Sequence, residues 1–249
     1  RGDQLGNFVL DSVESYCDLG HQVDVLVTRP VALPARRSRY GRGCSAITRE
    51  MHERRFRLSC ASYMGIPRNY LRLVSNRLHL AGCAGAVKRL IATRDIEVIH
   101  AHTEMASYLA TAVTAGTEVP VVATLHGINF NDRYLRGVGQ AGFFRAAFDR
   151  PDRLVLVGET LLEFVRPHVT ATDHVRVVPN GFREDGAAPY RSRRVLATET
   201  VHLVSVSNLV EGKGIGVTLD ALAALARAGR TDWRFDIVGD GPLRTPLEA

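Results

Sequence analysis

The chain has 249 residues and a mass of 27.3 kDa, more than a typical single domain but less than two full ones. A hydrophobic fraction of 45% with 23% charged residues is ordinary for a globular protein and excludes general disorder and a collagen-like repeat. The formal net charge of +6 is concentrated in one segment. Residues 29–57 hold nine arginines and two glutamates, a net charge of +7, and the rest of the chain is nearly neutral.

Short strands rich in β-branched residues alternate with longer helical patterns from the first residues to residue 178. Residues 8–19 have apolar positions at helical spacing and end at Gly20, and Val23–Val27 predicts a strand that closes at Pro30. After the basic segment the pattern predicts helices over 70–93, 104–115, 140–149 and 159–168, and strands over 96–100, 120–125, 153–157 and 175–178. This alternation is typical of a parallel α/β sheet buried on both faces.

A composition change then divides the chain. Residues 183–199 are rich in charge, glycine and alanine and predict a linker, after which the pattern restarts with a strand over 201–206, a helix over 215–228 and a strand over 233–238. We expect a first Rossmann-like domain over 1–185, a linker over 186–199 and the beginning of a second domain over 200–249. Two strands and one helix bury little core, so we expect the chain to be a fragment.

Uncommon residues follow several predicted strands, at the end where open α/β sheets bind their ligands. In the first domain these residues are Gly6, His100, His102, His126 with Gly127, and Asn180 with Gly181. For His102 we expect a strand-end cap, and for Asn180 a turn. His126 is the strongest candidate for ligand contact, since Gly127 leaves the neighbouring backbone accessible.

The segment Ser207-Asn208-Leu209-Val210-Glu211-Gly212-Lys213-Gly214 lies between a predicted strand and a predicted helix. Backbone N–H groups at a helix start, together with one cation, suit a phosphate. The segment is not a Walker A loop, because Gly214 stands where Ser or Thr is required. It is not a dinucleotide fingerprint either, because Val217 replaces the third glycine. A structural glycine turn remains the alternative.

These residues resemble a known family. The order of Ser207-Asn208-Leu209, Lys213-Gly214-Ile215, a helix, and Val238-Gly239-Asp240-Gly241-Pro242 is similar to retaining glycosyltransferases of the GT-B type, family 4. Four segments of the first domain agree with the same family in order: Gly20-His21-x-Val-x-Val, Val98-Ile99-His100-Ala101-His102, Thr124-Leu125-His126-Gly127 and Val178-Pro179-Asn180-Gly181-Phe182.

The resemblance implies two Rossmann-like domains facing a cleft, with a nucleotide-sugar donor on the second and an acceptor on the first. It assigns the catalytic roles to Lys213, which would pair with the donor diphosphate, and to His126, which would hydrogen-bond the donor sugar or phosphate. The remaining donor-binding residues would be Gly6, Asn208, Gly239, Asp240 and Gly241, and His100 and Asn180 would line the cleft. No metal and no cofactor is implied.

The sequence also departs from the family pattern. Asn208 stands where the family often has an arginine, and Gly158 stands where it often has a serine. The paired glutamates that hold ribose and sugar in the family lie farther along its second domain, past Ala249. We therefore expect these 249 residues alone to be inactive.

The expected function is transfer of a hexosyl unit from a nucleotide-diphosphate sugar to a carbohydrate or lipid-linked acceptor, in polysaccharide or glycolipid synthesis. The alternatives are a sugar-nucleotide epimerase of the same architecture and a non-catalytic sugar-nucleotide-binding protein. Nucleic-acid binding is disfavoured because no recognisable module accompanies the basic segment. Residues 29–57 could instead contact an anionic membrane, and the irregular cysteine spacing favours a cytoplasmic location.

Overall fold

The computed structural model describes residues 7–31, 55–66, 72–127, 139–181 and 200–248. The chain divides into two compact units, Arg1–Glu184 and Asp185–Ala249, called unit 1 and unit 2 below. Three of the features predicted from the sequence fall outside the described residues: Gly6, the linker over 186–199, and positions 32–54 of the basic segment. Within the described segments, no helix combines the length and apolar character needed to cross a membrane.

The first half of unit 1 is a parallel strand pair with helices before and after it. Its elements are α1 (Asn7–Asp18), β1 (Asp24–Val31), β2 (Arg57–Met64) and α2 (Arg72–Thr93). Asp24 lies opposite Arg57 in the ladder, and their side chains form an ion pair of 2.6 Å. At the other end Val31 lies opposite Met64. Val13, Cys17 and Phe56 form a small core on this half.

The second half of unit 1 is a four-stranded parallel sheet with the order β3-β4-β5-β6. Its elements are β3 (Ile99–His102), α3 (Glu104–Thr114), β4 (Val121–Leu125), α4 (Gln140–Phe148), β5 (Arg153–Leu156), α5 (Thr160–Val165) with a 3-10 turn (Arg166–His168), and β6 (Val175–Val177). Each strand reaches the next through a helix, as parallel pairing requires.

The main core of unit 1 lies between this sheet and α4 and α5. Phe144 and Phe148 are fully buried and stack at 5.4 Å, and the edge of Phe164 packs against Phe144. On the sheet side Leu125, Leu154 and Leu156 are at most 1% exposed. Burial of this kind contributes about 1.5–3 kcal/mol for each large apolar side chain, which fixes the central strands in place.

Unit 2 contains one parallel strand pair and two helices among its described residues. Its elements are β7 (Val201–Val206), a 3-10 turn (Glu211–Lys213), α6 (Ile215–Arg227), β8 (Trp233–Val238) and α7 (Arg244–Glu248). Leu209, Ile215 and Leu222 are buried, whereas Val204 and Val206 on β7 are 66% and 73% exposed. The predicted α/β class with parallel sheets is confirmed in both units.

Two element predictions need correction. The sequence pattern predicts no strand between the basic segment and the helix at residue 70, but β2 begins at Arg57, the last residue of that segment. The strand predicted over 96–100 in fact covers Ile99–His102. It starts late because Ile99 donates its first ladder hydrogen bond to the carbonyl oxygen of Pro120, where β4 approaches. Val98, just before it, is 51% exposed.

Candidate functional site

Three histidines of unit 1 meet at the carboxyl ends of β3 and β4, and we call His100, His102 and His126 the histidine cluster. His100 and His102 are two residues apart on β3, so their side chains lie on one face of the sheet. In the parallel ladder His102 is opposite Thr124. His126 follows Thr124 by two residues, just past the end of β4.

The rings of the cluster contact one another directly. Nδ1 of His102 lies 2.9 Å from Nε2 of His126, within hydrogen-bond distance, and the two rings are tilted by only 17°. The His100 and His102 rings are 4.2 Å apart between centroids. His102 is therefore held between the two other imidazoles.

His100 is itself anchored through both of its ring nitrogens. Nδ1 lies 3.0 Å from the hydroxyl of Tyr16 on α1, and Nε2 lies 2.7 Å from Oγ1 of Thr124 on β4. Burial raises the pKa of Tyr16, so its phenol keeps its proton. A neutral imidazole that bonds at both nitrogens donates from one and accepts at the other, which fixes the orientation of the ring.

The cluster is uncharged at neutral pH. Burial, with smaller contributions from His100 and His126, lowers the pKa of His102 to about 3. Burial also lowers the pKa of His100, with His126 adding to the effect. The pKa of His126 is lowered by burial too, against an opposing hydrogen bond with the side chain of Asn180. Neutral imidazoles can donate or accept hydrogen bonds, but they supply no positive charge.

The structure thus brings together three of the first-domain residues predicted from the sequence: His100, His126 and Asn180. At the end of β3 the ring of His102 bonds to His126, and Oγ1 of the adjacent Thr103 accepts the N–H of Ala106 and caps α3. Sequence reasoning missed Tyr16 and Thr124. The spacing of two residues between His100 and His102, and between Thr124 and His126, indicates that each pair lies on one face of the sheet, and it is the signal from which the cluster could have been predicted.

In unit 2 the predicted phosphate segment forms the connection from β7 to α6. Lys213 is exposed at the end of the 3-10 turn, and Gly214, with φ of 69°, turns the chain into the 13-residue α6. The first hydrogen bond of that helix runs from the N–H of Thr218 to Gly214. Free N–H groups at a helix start carry partial positive charge, so a cation and a helix N-terminus lie side by side.

Gly239 and Gly241 hold the turn after β8 close to this segment. A Cβ at Gly239 would overlap the carbonyl oxygen of Ser207, and one at Gly241 would lie 2.5 Å from that of Leu209. Hydrogen bonds from the N–H of Leu209 to Asp240 and from the N–H of Leu243 to Leu209 join the two loops. The structure thus gives these glycines a packing role. Asn208 and Asp240 are both exposed beside them.

The structure has a cavity in unit 2, beside the predicted phosphate segment, and another in unit 1, remote from the histidine cluster. One of about 280 Å³ adjoins the start of α6 in unit 2 and is lined by Glu211, Gly214, Gly216, Val217, Leu243, Pro246 and Leu247. A larger one of about 520 Å³ in unit 1 is bordered by Pro120 and Arg150, at the amino end of β4. It contains none of the predicted site residues. No group of three or more His, Cys, Asp or Glu in the described ranges is placed to hold a metal ion.

Comparison with known proteins gives one family and several solved structures. The sequence model of Glycosyltransferase Family 4 matches residues 5–186. No curated protein matches the chain in sequence.

The similar structures include HepE from Anabaena in complex with UDP, with a TM-score of 0.62 and 15% identity over 100% of this chain. The same protein in complex with UDP and glucose gives a TM-score of 0.58 at 15% identity, again over 100% of this chain. The lipopolysaccharide outer core galactosyltransferase WaaB in its apo form gives 0.52 at 12% identity over 90% of this chain. The chain spans 60% of the length of HepE and 63% of that of WaaB. At these identities the likeness establishes the fold.

The lowered pKa values predict that unit 1 loses stability in mild acid. In the unfolded chain a histidine takes up a proton near pH 6.5, whereas folded His102 resists protonation down to about pH 3. The stabilisation is therefore complete above pH 6.5 and is lost as the pH falls toward 3. His102 alone should lower the free energy of unfolding by about 1–2 kcal/mol between pH 7 and pH 5.

Urea unfolding at pH 7, 6 and 5, followed by the far-ultraviolet signal, checks this expectation. The pKa of Asp149 is also lowered, but from a starting value of 3.8, so its effect appears below this pH range. A His102→Gln variant, which removes one titrating group, should show a shallower pH dependence. Stability that is flat or rises between pH 7 and pH 5 would contradict the assigned burial of the cluster.

Proposed function

The chain belongs to Glycosyltransferase Family 4, and from this membership we propose that it transfers a hexosyl unit from a nucleotide-diphosphate sugar to an acceptor hydroxyl, with retention of configuration. The observation that carries the proposal is the exposed Lys213 beside the N-terminus of α6, at the carboxyl end of β7. HepE binds UDP in one of the similar structures and UDP with glucose in another, which supports a nucleotide donor.

Unit 2 offers the features that a diphosphate requires. The Lys213 ammonium supplies a full positive charge, and the N–H groups of residues 215–217 point out of the start of α6. The adjoining cavity of about 280 Å³ has room for an uncharged part of the donor.

Unit 1 supplies neutral hydrogen-bonding groups. His126 would contact the donor sugar or phosphate, and His100 and Asn180 would line the same edge of the sheet. Because burial lowers the pKa of His126, its ring would act as a neutral donor or acceptor and not as a second cation. The positive charge needed by the leaving diphosphate would then come from Lys213.

The proposed reaction is a front-face displacement. The acceptor hydroxyl oxygen forms a bond to the anomeric carbon as the bond from that carbon to the diphosphate oxygen breaks, and the hydroxyl proton passes to the leaving phosphate. Lys213 stabilises the negative charge that develops on the diphosphate, where a fixed cation has its largest effect. No protein nucleophile, metal or cofactor is part of the proposal.

The pathway and location belong to the same proposal. We place the reaction in the synthesis of a surface polysaccharide or glycolipid, with a carbohydrate or lipid-linked acceptor, in the cytoplasm. The net charge of +7 over residues 29–57 supports contact with anionic lipid head groups at the inner face of a membrane.

Replacement of Lys213 tests the donor site. Lys213→Ala should weaken the binding of UDP, used as the probe, by about tenfold or more, because a hydrogen bond to a charged group contributes about 1.5–3 kcal/mol. Isothermal titration calorimetry on the 249-residue chain measures the change. The fold should persist, since the Lys213 side chain is exposed and supports no core.

Lys88→Ala provides a matched control. Lys88 is the other lysine of the chain, and it is exposed on α2 of unit 1. The Lys88→Ala variant should bind UDP as tightly as the unaltered protein. Equal affinities of the Lys213→Ala and Lys88→Ala variants for UDP would show that Lys213 does not contribute to the donor site.

We further propose that these 249 residues bind a sugar nucleotide but do not transfer the sugar. Val204, Val206 and Val238 are 66%, 73% and 52% exposed on β7 and β8, which suits the face of a parallel sheet that further elements would cover. Productive transfer needs donor and acceptor groups held within bonding distance, which an incompletely covered sheet does not secure.

Side-by-side assays decide this point. The 249-residue chain and a longer chain that continues into a complete second domain are incubated with a panel of nucleotide sugars and acceptors. Acceptor-dependent product should form with the longer chain alone. Equal rates from both chains would contradict the inactivity, and absence of product from both would contradict the transferase proposal. Release of free nucleotide without transfer would favour the epimerase alternative.

A further inference from the structure

The hydrogen bond between two histidine side chains at the carboxyl edge of unit 1 has no assigned role so far. Nδ1 of His102 and Nε2 of His126 are 2.9 Å apart, and both residues are partly shielded from solvent. Two neutral imidazoles can share such a bond only if one nitrogen carries a hydrogen and the other does not. The bond therefore couples the tautomer of His126 to that of His102.

We propose that His102 is a positioning residue for His126. By bonding Nε2 of His126, it fixes the orientation of that ring and couples its tautomer to that of His102, and so determines whether Nδ1 of His126, which is shielded from solvent, carries the proton. The inference rests on the proposed contact of His126 with the sugar donor, because His102 acts through that ring.

The surroundings hold His102 firmly enough for this role. Its ring packs at 4.2 Å against His100, which is fixed at both nitrogens by Tyr16 and Thr124. The support thus comes from α1, β3 and β4 together. A ligand-contacting group needs such a supporting shell, since small losses of orientation lower activity strongly.

The backbone beside His102 is also constrained. Thr103 has φ of 90°, a strained conformation that β-branched residues rarely adopt. Its N–H donates to the carbonyl oxygen of Thr124 at 3.0 Å, and its hydroxyl caps α3. Strain of this kind persists only where neighbouring contacts impose it, and here it falls at the residue directly after His102.

The charge state of His102 fits the role. Burial and the two neighbouring histidines keep its pKa at about 3, so the ring stays neutral through the physiological range. A neutral His102 either donates or accepts at Nδ1, according to its tautomer, and Nε2 of His126 must take the complementary role. A protonated His102 would act as a donor only.

A matched pair of variants separates positioning from simple packing. The amide nitrogen of asparagine can take the place of Nδ1, whereas the longer glutamine side chain carries its amide nearer the place of Nε2. His102→Asn should therefore retain the bond to His126, and His102→Gln should lose it. Thermal unfolding shows whether each variant is folded.

Nitrogen-15 spectra of the imidazole rings give the direct readout on the 249-residue chain. The unaltered protein and His102→Asn should show His126 in one tautomer, and His102→Gln should show the averaged shifts of two. Unchanged His126 resonances in His102→Gln would overturn the proposal. If that variant does not fold, a scalar coupling across the bond from Nδ1 of His102 to Nε2 of His126 in the unaltered protein decides the matter, and its absence would overturn the proposal.

If the longer chain transfers sugar, its kinetics add a functional readout. His102→Gln should lower kcat at least about tenfold below that of His102→Asn, with a smaller change in the donor KM. Equal kcat values for the two variants would also overturn the proposal that His102 positions His126. If the ring spectra respond as expected but the unaltered longer chain transfers no sugar, the proposed function fails while the effect of His102 on His126 stands.

Discussion

The parallel register of β3 and β4 is the constraint on which the candidate site depends. Because His102 lies opposite Thr124, the ring of His102 reaches His126 and the ring of His100 reaches the Thr124 hydroxyl. A shift of one residue would turn these side chains to the other face of the sheet. The register is held by the buried core beneath it, in which Leu125 and Leu154 are 1% exposed.

The candidate residues of the two units differ in charge. Unit 1 presents imidazoles that burial keeps neutral, and these can orient hydroxyl groups without holding a product anion. Unit 2 presents one exposed lysine at a helix start, where a diphosphate charge is best stabilised. The close approach of Gly239 to Ser207 keeps the two donor-side loops together.

Much of the fold follows from local patterns. The strands over 201–206 and 233–238 and most helices of unit 1 agree with the sequence prediction, because each has a clear period and a defined end. β2 was missed because it contains Ser59, Cys60 and Ser62 and depends on pairing with β1. The bond between His102 and His126 could not be predicted either, because it depends on the register of β3 against β4, and the sequence of a single strand does not determine that register. The residues after the strands were identifiable, but their contacts were not.

The central claim is that a nucleotide donor binds at the carboxyl ends of the strands of unit 2. Titration of the 249-residue chain with UDP, followed by the NMR shifts of its backbone amides, tests this claim most directly. The account predicts that UDP shifts the amides of residues 207–217 and 239–243 and leaves those of 114–121, around the larger cavity, unchanged. Shifts at 114–121 with none at 207–217 would contradict it, as would the absence of any shift at saturating UDP.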